Sequence, residues 1–170
     1  MIRLANRGDL PQIERIFAHA KQVMIASGNA TQWVDGYPSK EVILHDISQG
    51  QCYVYEEGQR VEAVFSLIYG EDPTYRKIYQ GEWLNDKPYV TIHRIASLGN
   101  VKGVSSICME FAVEKYGNIR VDTHEDNKIM QRVLEKNGFH KCGIIYVANG
   151  TSRLAYQYER SRNSIEKEMK

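Results

Sequence analysis

An α/β (α+β) fold around a single sheet is predicted by three features of the chain. Its composition, 42% hydrophobic and 25% charged over 170 residues, is that of one globular domain long enough to bury most of its apolar surface. Runs of period two alternate with runs of period 3.6, in the order strand, helix, helix, three strands, helix, strand, helix, two strands. The last two strand-like runs close as a hairpin.

Ile2 to Ala5 alternates briefly and reads as a strand. Asp9 and Gln12 then have capping-box spacing, with Pro11 tolerated in the first turn. Leu10, Ile13, Ile16, Phe17, Ala20, Val23 and Met24 line one face of the helix that follows, which stops near Gly28. Between Asn29 and Pro38, Trp33 and Tyr37 stand among polar and Gly residues. These rings either wall a pocket or cover the sheet edge. Ser39 is placed to cap a second, shorter helix carrying Val42, Ile43 and Ile47 and ending at Gly50.

Gln51 to Glu57 and Arg60 to Tyr69 flank the turn residues at Gly58 and read as an antiparallel hairpin. Gly70 to Pro88 is a long connection holding Tyr75, Tyr79 and Trp83; connections of that length in a compact domain are usually functional or disordered, and the aromatics favour function. Tyr89 to Ser97 is the next strand, and Val104, Ile107, Cys108 and Phe111 have helical spacing up to Gly117. Ile119 to His124 is a short strand, and Asp126 or Asn127 caps a helix bearing Ile129, Met130, Val133 and Leu134. Gly138 can take the left-handed conformation that ends that helix, with Phe139 folding back on Leu134. Phe139 to Val147 and Arg153 to Tyr158 make the closing hairpin about Asn149 and Gly150, and Arg160 to Lys170 reads as a solvated, frayed tail.

The 22 basic and 21 acidic residues nearly cancel, so the field of the whole molecule favours neither nucleic acid nor a membrane, and no basic helix or zinc spacing is present. Cys52, Cys108 and Cys142 are odd in number, far apart and set in apolar runs, which suits buried reduced thiols rather than disulfides or a metal. Met1 leads straight into a strand-like segment, without a basic and then apolar leader. The expectation is a cytoplasmic protein.

The stretch His93 to Tyr116 reads as a buried strand, a Gly-containing turn and an amphipathic helix. Amides at a helix N-terminus lack intrahelical partners and carry the positive end of the dipole, so a ligand phosphate would sit there, and Gly103 lets the backbone approach it.

The element order and two segments together resemble the GCN5-related N-acetyltransferase (GNAT) superfamily over nearly the whole chain. Asn100, Val101, Lys102, Gly103, Val104 and Ser105 stand where the family has Gln or Arg, x, x, Gly, x, Gly or Ala. They depart from that pattern at Asn100 and Ser105. Asn127 through Gly138 and Phe139 matches the family segment in which an Asn opens a helix and Gly-Phe closes it. The run IRVDTHEDN is similar to that of uncharacterised bacterial GNAT proteins.

The resemblance implies a GNAT fold: a single mixed, mostly antiparallel twisted sheet of about seven strands with helices on both faces. Its central parallel pair, Tyr89 to Ser97 and Ile119 to His124, would splay apart to admit the pantetheine arm. It also implies an acetyl-CoA dependent N-acetyltransferase, spanning residues 1–159 and followed by the polar tail. Acetyl-CoA would be held at Asn100, Lys102, Gly103, Val104, Ser105 and Ser106 by its pyrophosphate, and at Ile95, Ala96, Ser97 and Asn127 by its pantetheine. No metal is implied.

For the base, His93 and His124 are the candidates, with Glu125 as the carboxylate alternative. The family's usual Tyr acid is replaced by Leu134, which leaves Tyr146, ordered water or an unassisted thiolate. Trp33, Tyr37, Trp83 and the long loop would bind the acceptor, a small-molecule or peptide amine, and Asp35, Asp72 and Glu82 hint that it is cationic. A coenzyme A binding module without catalysis is the competing reading. The polar tail and exposed closing hairpin would permit a homodimer.

Overall fold

A computed structural model describes residues 1–169. The strands are β1 (Ile2–Leu4), β2 (Cys52–Glu57), β3 (Arg60–Tyr69), β4 (Val90–Ser97), β5 (Asn118–Thr123), β6 (His140–Tyr146) and β7 (Ser152–Glu159). The α-helices are α1 (Leu10–Ala26), α2 (Lys40–Ser48), α3 (Val104–Tyr116), α4 (Lys128–Lys136) and α5 (Arg160–Glu168). The strands form one mixed sheet in the order β1-β2-β3-β4-β5-β7-β6, in which β4 and β5 are the parallel neighbours. The chain divides into two compact units, Met1–Ile68 with Ile92–Cys108, and Tyr69–Thr91 with the chain from Met109 on.

In the first unit, β2 and β3 pair antiparallel from Cys52↔Ser66 to Glu57↔Arg60, and β1 adds antiparallel to β2. Ile13, Ile16, Phe17 and Ala20 of α1 pack with Ile43 of α2 on Cys52, Val54, Val61, Val64 and Ala96 of the strands. Ile13 and Ile16 are fully buried, each contributing roughly 1.5–3 kcal/mol relative to exposure. The apolar stripe of α1 ends at Ala20, for Val23 is exposed. Ser39 caps α2 by accepting from the Val42 amide at 3.2 Å, as expected.

The capping box forms three residues earlier than its spacing predicts, on the 3-10 turn Arg7–Asp9 that leads into α1. Asn6 and Asp9 make the reciprocal pair, the Asp9 carboxylate accepting from the Asn6 amide at 2.8 Å. Arg3 holds the same carboxylate through two bonds of 2.8 and 2.9 Å. Gln12 is thereby released to another task, its Oε1 accepting from the Val61 amide at 3.0 Å.

In the second unit, β5 pairs parallel with β4 at Val90↔Ile119 and Thr91↔Arg120, and antiparallel with β7, which in turn pairs with β6. Helix α4 ends as predicted. Gly138 takes φ +84, the Phe139 amide donates to the Leu134 carbonyl at 3.0 Å, and both side chains are buried. The 70–88 connection lies along this sheet. Tyr75 is buried within it, Trp83 Nε1 donates to the Tyr75 carbonyl at 2.9 Å, and the Leu84 amide donates to Gln157 Oε1 at 2.9 Å.

Tyr79 pairs with Ile144 on the outer edge of β6 through two amide–carbonyl bonds of 2.8 Å. Two glycines permit that approach: a Cβ at Gly81 would stand 1.9 Å from the Cys142 carbonyl oxygen, and one at Gly143 would stand 2.5 Å from that of Tyr79.

The tail expected to be frayed is helical from Arg160 to Glu168; Lys170, its last residue, lies outside the described residues. Glu159 caps it by accepting from the Ser161 and Arg162 amides, and Asn163, buried, donates to the Gly138 carbonyl at 2.8 Å. The three cysteines are free and buried, in accord with the sequence reading.

Candidate functional site

In the first unit the candidate residues gather on β4, the turn after it and the α1–α2 connection. β4 carries His93, half-buried, and Arg94, whose φ of +53 places a non-glycine residue in the left-handed region within a strand. Arg94 is held by its side chain. Nε and Nη2 reach the two oxygens of Asp46 at 2.7 and 2.9 Å, Nη1 donates to the Tyr37 hydroxyl at 2.8 Å, and Ser66 donates to Asp46 at 2.7 Å.

This network settles where Tyr37 and Trp33 lie. Tyr37 is tied to Arg94, and Trp33 sits edge-on between Tyr37 and Phe17, at centroid distances of 6.4 and 5.6 Å. Trp33 packs against the apolar core of the unit. Neither Arg94 nor Asp46 stands out in sequence as a pair, since 48 positions separate them and neither lies in a motif.

Ile95, Ala96 and Ser97 follow on β4, and the chain then turns into α3. Asn100 donates through Nδ2 to Glu62 at 3.1 Å, so its amide serves the turn itself. Lys102 and Gly103 are exposed, Val104 is buried, and Ser105 and Ser106 are half-buried in the first turn of α3. Gly103 takes φ +72, and a Cβ built there would meet nothing within 4 Å. The turn thus presents open backbone beside the first amides of a helix of 13 residues, a geometry that suits a phosphate.

In the second unit His124 is largely buried, its Nδ1 accepting from the Asp126 amide at 3.0 Å. Asn127 caps α4, its Oδ1 accepting from the Met130 amide at 3.1 Å, and Glu125 is exposed. Leu134 is fully buried, so the position at which the family's Tyr would stand faces the core. Tyr146 is exposed, with its ring edge-on to Tyr79 at 5.3 Å. Tyr75, fully buried, donates to Asp122 at 2.6 Å; burial, followed by the nearby Asp122 charge, pushes its hydroxyl pKa well up.

Trp83 belongs to a cluster that sequence reasoning did not assemble. It packs with Tyr75, Tyr89 and Ile145, and its ring lies 4.2 Å from the guanidinium carbon of Arg120. Tyr75, Trp83, Tyr89 and Arg120 border an open cavity of about 430 Å³ in this unit. Among the described residues no group of three or more His, Cys, Asp and Glu is arranged to hold a metal, and no helix is long and apolar enough to cross a membrane.

No protein-family model matches the chain, and no curated protein does. Solved structures do. An acetyltransferase of the GNAT family from Streptococcus agalactiae 2603 is 34% identical, with 94% of each chain covered and a TM-score of 0.86. An assigned acetyltransferase from Staphylococcus aureus MU50 is 25% identical over 94% of this chain and 98% of its own, with a TM-score of 0.71. A GNAT-family acetyltransferase from Listeria monocytogenes 4b F2365 shares the fold at 20% identity, with 94% of each chain covered and a TM-score of 0.69.

Proposed function

Because the chain belongs to the GNAT acetyltransferase family, we propose that it transfers an acetyl group from acetyl-CoA to a primary amine of a small molecule or peptide, by direct attack in a ternary complex. The observation that carries this reading is the turn into α3, where Gly103 is left-handed and opens onto free space. The first amides of α3, the Lys102 ammonium and the hydroxyls of Ser105 and Ser106 are the groups that hold the pyrophosphate. Asn100 contributes through its backbone, since its side-chain amide is engaged by Glu62. Backbone groups of Ile95, Ala96 and Ser97 pair with the pantetheine amides as an added strand would, and Asn127 contacts the same arm.

Acetyl-CoA supplies an activated carbonyl, at which a C–N bond forms as the C–S bond breaks and the thiol departs. The chain's own tasks are to deliver a neutral amine and to donate a hydrogen bond to the carbonyl oxygen as charge develops there, the latter from an amide near Ala96 or Ser97. His93, half-buried on β4, is the base of choice. His124 is the poorer one, because protonating Nδ1 would break its bond from the Asp126 amide. With Leu134 in the core, the acid is Tyr146 or solvent.

Buried Leu134 also favours a second reading, a coenzyme A binding module without turnover. Calorimetry with acetyl-CoA and a thiol-release assay over a panel of primary amines test both. Saturable binding with thiol release on at least one amine is expected. Binding without release on any amine would select the module, and absence of binding would end both readings.

A further inference from the structure

The cavity of the second unit has a buried arginine in its wall. Arg120 is 6% exposed, and its guanidinium lies between the rings of Trp83 and Tyr89, at 4.2 and 4.1 Å from their centroids. Nη2 donates to the Asn85 carbonyl at 2.7 Å, but Nε is buried with no hydrogen-bond partner. None of the ion pairs among the described residues involves Arg120. Buried charges in folded proteins are ordinarily paired, and two aromatic faces favour a cation without supplying a countercharge. Burial lowers the pKa of this guanidinium, with Tyr89 and Asp86 acting in the opposite sense.

The other charges at the cavity do not supply the missing partner. Glu71 is taken by Arg76 at 2.8 Å, and Asp86 is exposed to solvent and acts on Arg120 only at a distance. The wall is otherwise aromatic or apolar, from Tyr75, Trp83, Pro88 and Tyr89. Thr91, the register partner of Arg120 in the parallel pair, also has a buried hydroxyl without a partner. The volume, about 430 Å³, is that of a small-molecule site.

We propose that this cavity binds a small carboxylate with an apolar ring, the carboxylate pairing with Arg120 and the ring lying on Trp83 and Pro88. A planar carboxylate matches the edge of one guanidinium, and the apolar rings of the wall favour an organic acid over inorganic phosphate, for which Arg76 and Lys87 would be further donors. The proposal uses none of the groups assigned above to acetyl-CoA or to proton transfer, so its test and that of acetyl transfer can fail separately.

The test is made on the whole chain, labelled with nitrogen-15, by titrating benzoate and 3-phenylpropanoate, their neutral amides, and inorganic phosphate. The readout is the Trp83 indole N–H and the Leu84 and Arg120 amides. At least one acid is expected to shift these signals saturably, its amide binding about tenfold or more weaker for loss of the charged pair. Arg120→Gln, with its fold verified by circular dichroism, is expected to abolish the preference of acid over amide. If that variant does not fold, the acid–amide comparison on the unmodified chain decides alone. The proposal is overturned if neither acid moves these signals, if amide and acid bind equally, or if phosphate saturates the same signals below the concentration the acids need.

Discussion

Arg94 shows how a single residue can hold an unfavourable backbone. A left-handed, non-glycine conformation costs on the order of 1–3 kcal/mol, and here the cost is offset by a guanidinium fixed at both ends. Asp46 and Arg94 keep only 4% and 10% of their side-chain surface exposed. Asp46→Ala is therefore expected to lower stability by about 3–5 kcal/mol, since it strands a buried cation; urea unfolding measures this. Gly103 is the opposite case, strained by nothing in the protein. Gly103→Val would cost about 1–2 kcal/mol for its left-handed φ, while the added branches would stand where the phosphates approach. Affinity for acetyl-CoA, measured by calorimetry, is expected to fall by about tenfold or more; unchanged affinity would place the phosphates elsewhere. For His93, replacement by Ala is expected to reduce turnover by about a hundredfold between pH 6 and 9, and full turnover would remove it as the base.

At the scale of elements, legibility followed the kind of interaction that holds each one. Helix α1 was visible because its anchors are apolar and periodic, and the end of α4 because Gly138 and Phe139 carry a local backbone signal. Helix α5 was invisible for the converse reason. Its side chains serve as polar caps on other elements: Asn163 on the Gly138 carbonyl, and Arg160 on the Val113 and Glu114 carbonyls at the end of α3. No hydrophobic period records such contacts. Asn163→Ala should then cost about 1–2 kcal/mol, read by thermal or urea unfolding, and an unchanged midpoint would show that α5 docks without it. The candidate site divides in the same way. The turn at Gly103 and the cap at Asn127 are local and could be read in advance, whereas Arg94 with Asp46 and Arg120 with Trp83 are brought together by chain topology.

At the scale of the whole molecule, burial governs the thiols. It pushes Cys52 and Cys108 up to about 12 and Cys142 to about 11, from an ordinary value of 9.0. Native protein is expected to resist alkylation by iodoacetamide at pH 8, and all three thiols to react once it is unfolded. Rapid labelling of the native chain would contradict that burial. The linkage has a definite sign. The folded state keeps these protons to higher pH than the unfolded chain does, so their contribution to stability is complete below about pH 9 and declines above it.

The pairing of Tyr79 with Ile144 bears on how copies of this chain can meet. An uncovered edge strand is a template on which a second molecule can extend the sheet, the first step toward fibrils. β6 is the last strand in the order, and its outer row of amides and carbonyls is already engaged at Ile144 by the chain's own loop. β1, at the other end, offers a ladder of only three residues. At Ile144, therefore, the backbone of β6 is closed to a strand from a second molecule.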